Sequence, residues 1–215
     1  MAHLSPLPEE ALEAYGPFFA ATAASMGFVP NSMKTMAHLP QLPVALMLLA
    51  STSFGGDLKA IVAQLGDQIP DNTEAQMALP PELIQLVAFA CSTRAGCQYC
   101  QAHTAHSGHR AGGSQAQFAE ILNFESSPAF SPAERAAVAL AFAAAAVPNE
   151  AEAAHFEALR AHYSERQIAQ LVAVIATFGF LNRWNDTMAT ALEAQPAGFA
   201  EGALGTLGWQ AGKHS

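Results

Sequence analysis

A chain of 215 residues with a formal charge of −9 and only nine Lys and Arg offers no basic patch for phosphate, which argues against nucleic-acid binding. Its residues are 51% hydrophobic and only 13% charged, about half the usual charged share, so an apolar core and burial against further copies of itself are expected, a homo-oligomer. The N-terminal residues lack a basic segment followed by an apolar one, and the runs 136–147 and 171–181 are too short to span a bilayer; no membrane partner and a cytoplasmic location are expected.

Alanine dominates and apolar residues recur at helical spacing, so the chain reads as all-α. A first helix is expected from Glu9 to Gly27 with a break at Gly16-Pro17, then a turn at 28–32 with Ser32 capping a short helix to Leu39. Pro40 to Phe54 forms the next, stopped by Gly55-Gly56, and Asp57 to Leu65 a short one before a polar loop from Gly66 to Thr73. Pro80-Pro81 opens a helix to Ala95, since proline suits a first helical turn. Gly96 interrupts it, and a second helix runs from the following cysteines to Arg110. Ser114 caps a segment to Leu122, and Ser131-Pro132-Ala133-Glu134 has the form of a capping box. Asn149 is expected to cap a helix to His162, and Ser164 a long one to Trp184 or beyond. The tail from Pro196 holds five glycines and reads as irregular or as an arm. Ile84–Ala88 and Ala169–Ala173 echo one another, as a duplicated helical unit or convergence on an apolar helix face would produce. No linker divides the chain, so a single all-helical domain over 1–215 is expected, in segments 1–75, 80–112, 114–195 and 196–215.

The chemistry concentrates in Gly96-Cys97-Gln98-Tyr99-Cys100-Gln101-Ala102-His103, which holds two of the three cysteines. Thiols at this spacing can close a disulfide with little backbone movement, and in a reducing compartment such a pair points to catalysis or metal rather than a structural staple. A helix beginning near Cys97 would stabilise a thiolate there through its N-terminal N–H groups. Proximity to His103, one turn on, favours Cys100 instead, and the residues alone leave that choice open. Cys97, Cys100, His103 and His106 strung along one helix cannot wrap a tetrahedral zinc ion, so no metal is expected. His106 and His109 read as residues of a polar face, Cys91 as a buried core thiol, and Tyr99 as a packing residue.

This motif, preceded by Pro81-Glu-Leu-Ile-Gln-Leu-Val-Ala88, resembles the carboxymuconolactone decarboxylase superfamily, in its alkylhydroperoxidase D-like, peroxidase-related branch. Residues 27–32 and 37–40 look like that branch's N-terminal segment, and residues 126–135 with Asn182-Arg183 like its C-terminal half. The resemblance implies an alkylhydroperoxidase D-like helical fold, homo-oligomeric assembly and thiol-based reduction of hydroperoxides without a cofactor. It also implies that Cys100 attacks the peroxide and Cys97 resolves the sulfenic acid. The family's relay glutamate falls at Gln85, with Glu82 one turn earlier, and its histidine falls at Thr104, one position after His103. A carboxamide orients by hydrogen bonding but takes no proton at neutral pH.

The function expected is therefore a hydroperoxide-reducing oxidoreductase cycling between dithiol and disulfide, recharged by an unidentified thiol reductant. Cys100, Cys97 and His103 are the expected catalytic residues, supported by Gln85, Glu82 and Tyr99. The alternatives are an oligomeric redox-sensing or binding module with a degenerate site, and a carboxymuconolactone decarboxylase-like enzyme.

Overall fold

The computed structural model describes residues 3–66, 69–72 and 75–215, which are helical with no strand among them. Part of the polar loop read over 66–73 lies outside the described residues, as do Met1 and Ala2. The chain forms two compact units, Met1–Ala78 and Leu79–Ser215. Among the described residues no helix is long and apolar enough to cross a membrane.

The first unit holds α1 (Glu9–Leu12), α2 (Gly16–Met26), α3 (Asn31–Met36), α4 (Leu42–Ser53) and α5 (Leu58–Leu65). The break expected at Gly16-Pro17 is real: a 3₁₀ turn at Glu13–Tyr15 separates α1 from α2. Pro30, rather than Ser32, precedes α3, and Asp57 caps α5 by accepting the N–H groups of Lys59 and Ala60. Tyr15, Phe18, Phe19, Val44 and Leu65 fill this unit's core, and the Tyr15 hydroxyl donates to the Ala37 carbonyl at 3.1 Å.

The second unit is built on a helical hairpin, α6 (Pro81–Ala95) and α7 (Gln98–Arg110). Pro81 stands at the first helical position of α6, and Gly96 ends it in the left-handed region at φ 75°, which glycine adopts without a Cβ penalty. The chain continues through α8 (Gln115–Ala119), α9 (Pro132–Ala145), α10 (Ala153–Arg160), α11 (Glu165–Met188) and α12 (Ala194–Ala203). Capping boxes at Ser114, Ser131 and Ser164 start α8, α9 and α11 where their sequences indicate. Helix α10 starts after Glu152 instead, because the Asn149 side chain is taken up by the Ala144 carbonyl and the Ala151 N–H. The echoing segments lie in α6 and α11, which pack against each other. Phe89 meets Phe118 edge-on at 5.3 Å in a core shared with Val87, Leu140, Ile168 and Leu171.

The tail corrects an expectation. It is ordered as α12 and two 3₁₀ turns, Gly205–Leu207 and Gly212–His214, despite its glycines. Ala200, Ala203, Leu204 and Trp209 bury themselves in the unit's core, and α12 packs on α7. Apolar burial therefore outweighs the glycine entropy cost. The Trp209 indole N–H donates to the Gln98 carbonyl at 3.2 Å, which pins the tail over the start of α7.

The close approach of α6, α7 and α8 depends on Gly108, where an added Cβ would run into Phe118 Cζ and stand 3.1 Å from the Gln85 Cβ. Since Phe118 is fully buried, Gly108→Ala is expected to destabilise the unit by about 1–3 kcal/mol. Urea unfolding, with a lower midpoint and an unchanged slope, is the measurement that checks it.

Candidate active site

Cys97 occupies the single residue between α6 and its partner after Gly96, and its geometry follows from both helix ends. Its N–H donates back to the Ser92 carbonyl at 3.2 Å, closing the end of α6. Its side chain is the N-cap of α7, where Sγ accepts the Cys100 N–H at 3.4 Å. Both thiols are free and buried.

The two thiols are oppositely biased. Hydrogen bonding from the Cys100 thiol pushes Cys97 below the ordinary thiol range; burial opposes this, the Cys100 N–H assists, Asp186 opposes and Lys213 assists. Cys100 is pushed up, first as the donor in that same hydrogen bond and then by burial, and the Asn185 amide at 3.5 Å offsets this only in part. The two shifts thus run in opposite directions and favour Cys97, at the positive end of α7, as the more acidic thiol.

The other expected site residues are distributed differently. The His103 Nε2–H donates to Glu193 at 2.7 Å, Tyr99 donates to the other Glu193 oxygen at 3.1 Å, and the two rings lie 4.3 Å apart. The Glu193 carboxyl is held below its usual range by its own backbone N–H and then by His103 and Tyr99. His103 is thus committed to a partly exposed carboxylate, and the groups that set the Cys100 thiol are Cys97, Asn185 and Cys91. Thr104 is buried and donates to the Cys100 and Gln101 carbonyls at 2.7 and 3.2 Å. Gln85 flanks Gly108, eight residues and about 12 Å along α7 from Cys100, and Glu82 lies in the first turn of α6 at the far end of the hairpin. His106 and His109 pack on Phe199.

Residues from the far end of the chain complete the site. Helix α11 presents Asn182, Asn185 and Asp186 on one face, three and four residues apart, with Asn182 3.7 Å from Cys91 Sγ and Asn185 on Cys100. A ring nitrogen of His214, a carboxylate oxygen of Asp186 and Cys97 Sγ all lie within 4.8 Å of one another. Lys213 holds the second Asp186 oxygen at 2.8 Å. The other carboxylate oxygen faces the imidazole, so thiol, imidazole and carboxylate together suit proton handling. Behind it a cleft of about 990 Å³ is lined by Cys91, Arg94, Ile175, Asn182, Arg183 and Asp186. The three polar residues of α11, crowded into an apolar helix, were a sequence signal for this wall; an isolated His214 gave none.

The fold and site define an all-helical protein with a polarised dithiol at a helix N-terminus. The chain belongs to the carboxymuconolactone decarboxylase family, whose sequence profile matches residues 70–143. It is 32% identical to the debrominase Bmp8, covering 93% of this chain and 97% of that one with a TM-score of 0.56. A cysteine-to-alanine variant of that debrominase in complex with 2,3,4-tribromopyrrole matches at the same identity and TM-score, over 94% and 98%. A peroxidase-related protein from Silicibacter sp. TM1040 matches at 20% identity over 90% of each chain, with a TM-score of 0.49. No curated protein sequence matches the chain.

Cys91 supplies a test of the buried wall. Burial, its largest influence, pushes the thiol from 9.0 up to about 11, so between these values the folded state holds a proton that the unfolded chain releases. Stability is therefore full below pH 9.0 and falls as pH rises towards about 11, by roughly 2–3 kcal/mol from this group. Chemical unfolding across that range should show the slope in wild type and a smaller one in Cys91→Ala.

Proposed function

We propose that the protein is a dithiol oxidoreductase that reduces a hydroperoxide at the expense of the Cys97–Cys100 pair. The observation that carries this is the pair of free, buried thiols at the head of α7, where Cys97 Sγ accepts the Cys100 N–H and is the thiol favoured to ionise. In this reading Cys97 attacks the terminal peroxide oxygen, the O–O bond breaks, and the alcohol leaves. The Cys100 sulfur then displaces water from the Cys97 sulfenic acid to form the disulfide. An external thiol reductant returns the dithiol, taking the disulfide's oxidising equivalents. The attacking and resolving roles are exchanged relative to those implied by the family resemblance, because the Cys100 thiol donates its hydrogen bond to Cys97. His103 acts on Tyr99 and Glu193 in this scheme, Gln85 packs against Gly108, and Glu82 takes no part from the first turn of α6.

A second reading is reductive dehalogenation, favoured by 32% identity to a debrominase over nearly its whole length. The electron balance is the same. A carbon–bromine bond and two thiols become a carbon–hydrogen bond, bromide, a proton and a disulfide. The cleft of about 990 Å³ has room for a small aromatic ring.

Reduced protein supplied with a regenerating dithiol should turn over one member of a panel of alkyl hydroperoxides and bromopyrroles. Mass mapping after one turnover should find a single 97–100 bridge with Cys91 reduced. Cys97→Ser should abolish turnover, and Cys100→Ser should stall after one event with a trappable adduct on Cys97. Reversible oxidation without turnover would make the protein a redox sensor, and a bridge through Cys91 would overturn the assignment of the pair.

A further inference from the structure

His214 is polar, yet it is 1% exposed. The Nδ1–H donates to the Thr190 carbonyl at 2.9 Å, so in the neutral ring the lone pair is on Nε2. That Nε2 is buried without a hydrogen-bond partner, an arrangement that costs free energy unless something uses the lone pair. It points into the Cys97 cluster, 3.6 Å from Asp186 Oδ1, with Cys97 Sγ within 4.8 Å of the ring. The ring is anchored from several sides. The Leu192 N–H donates to the His214 carbonyl at 2.8 Å, Lys213 binds Asp186, and the Tyr99 ring lies 5.8 Å away.

We propose that His214 is the general base that takes the Cys97 proton, with Asp186 stabilising the imidazolium. The inference rests on the dithiol chemistry proposed above and deepens it. The Cys97 S–H gives its proton to His214 Nε2, and the thiolate attacks the terminal hydroperoxide oxygen. The O–O bond breaks, and the departing alkoxide takes the proton back from Nε2 as it becomes the alcohol. Cys100 then attacks the Cys97 sulfenic acid sulfur and water leaves with the Cys100 proton. Distances looser than a formed S–H···N bond are usual for such a pair before substrate binds. The charged and titratable groups facing the imidazole are Cys97 from the head of α7, Asp186 from α11, Lys213 beside it and Tyr99 from α7. The family's histidine position cannot serve here, since Thr104 spends its hydroxyl on backbone carbonyls.

The test reads thiolate formation by ultraviolet absorbance against pH in full-length Cys91→Ala/Cys100→Ser protein, with and without His214→Gln. Glutamine keeps an amide N–H for the Thr190 carbonyl but offers no basic nitrogen. The expected result is an upward move of the Cys97 titration by about one pH unit or more on losing the base. A superimposable profile would overturn the proposal. Nitrogen-15 shifts of His214 in otherwise wild-type protein provide a second measurement that does not depend on the variant folding. Protonation of Nε2 should accompany thiolate formation and lose that coupling in Cys97→Ser; no change between the two proteins would count against it. Failure of the dithiol reading is distinguishable, because wild type would then form no 97–100 bridge with any substrate, whatever His214 does.

Discussion

One residue closes two helices, and the rest of the site is arranged around it. The Cys97 N–H completes the end of α6 on Ser92, while Cys97 Sγ accepts the Cys100 N–H in the first turn of α7. Helix ends carry unsatisfied donors and acceptors that must find partners when buried. Here a sulfur supplies the N-cap usually given by Ser, Thr, Asp or Asn. The negative form of that cap is stabilised by the donors it satisfies, so the demand for a buried helix start and the bias towards a thiolate are one interaction. Gly96 makes it possible, because its left-handed backbone lets α6 stop with only Gly96 and Cys97 between it and α7.

The polarity of the pair follows from an asymmetry in the same turn. Cys97 precedes the helix and faces donors, whereas Cys100 lies within the first turn, its own N–H spent on Cys97. Burial penalises charge on both, but Cys97 has the Cys100 thiol and N–H as donors and the nearby Lys213 to compensate. The Asn185 amide reaches Cys100 at 3.5 Å and offsets too little to reverse this. In the proposed cycle the Cys100 thiol keeps its proton for the resolving step and leaves the Cys97 sulfur to attack.

Local chemistry was legible in the sequence where the signal was local. The capping boxes at Ser131 and Ser164, proline at the start of α6 and glycine at its end placed those helices within a residue or two. The motif named the two thiols, and the family pattern of residues around it agreed with the profile match over 70–143. Legibility ended where partners are far apart along the chain. His103 is spaced to face Cys100, but Glu193, ninety residues away, offers its ring a charged partner at 2.7 Å. The glycines of the tail signalled irregularity, since pattern alone does not reveal that Trp209 finds a backbone carbonyl at the head of α7. No periodicity could assign His214 to Cys97.

The position of the tail links water exclusion to proton transfer. Trp209 is fastened to Gln98 and His214 to Thr190, so the segment between them lies across the N-terminus of α7 where the thiols are buried. Excluding water strengthens each charge interaction beneath it, including that of Asp186 with its neighbours. It also raises the cost of forming a lone thiolate, so a buried nucleophile needs a proton acceptor inside the same enclosure. A base on the exposed face of α7, such as His103 beside Glu193, stands outside that enclosure. The nitrogen carried inward by the tail stands within it, and the element that creates the cost is the element that carries the group able to meet it.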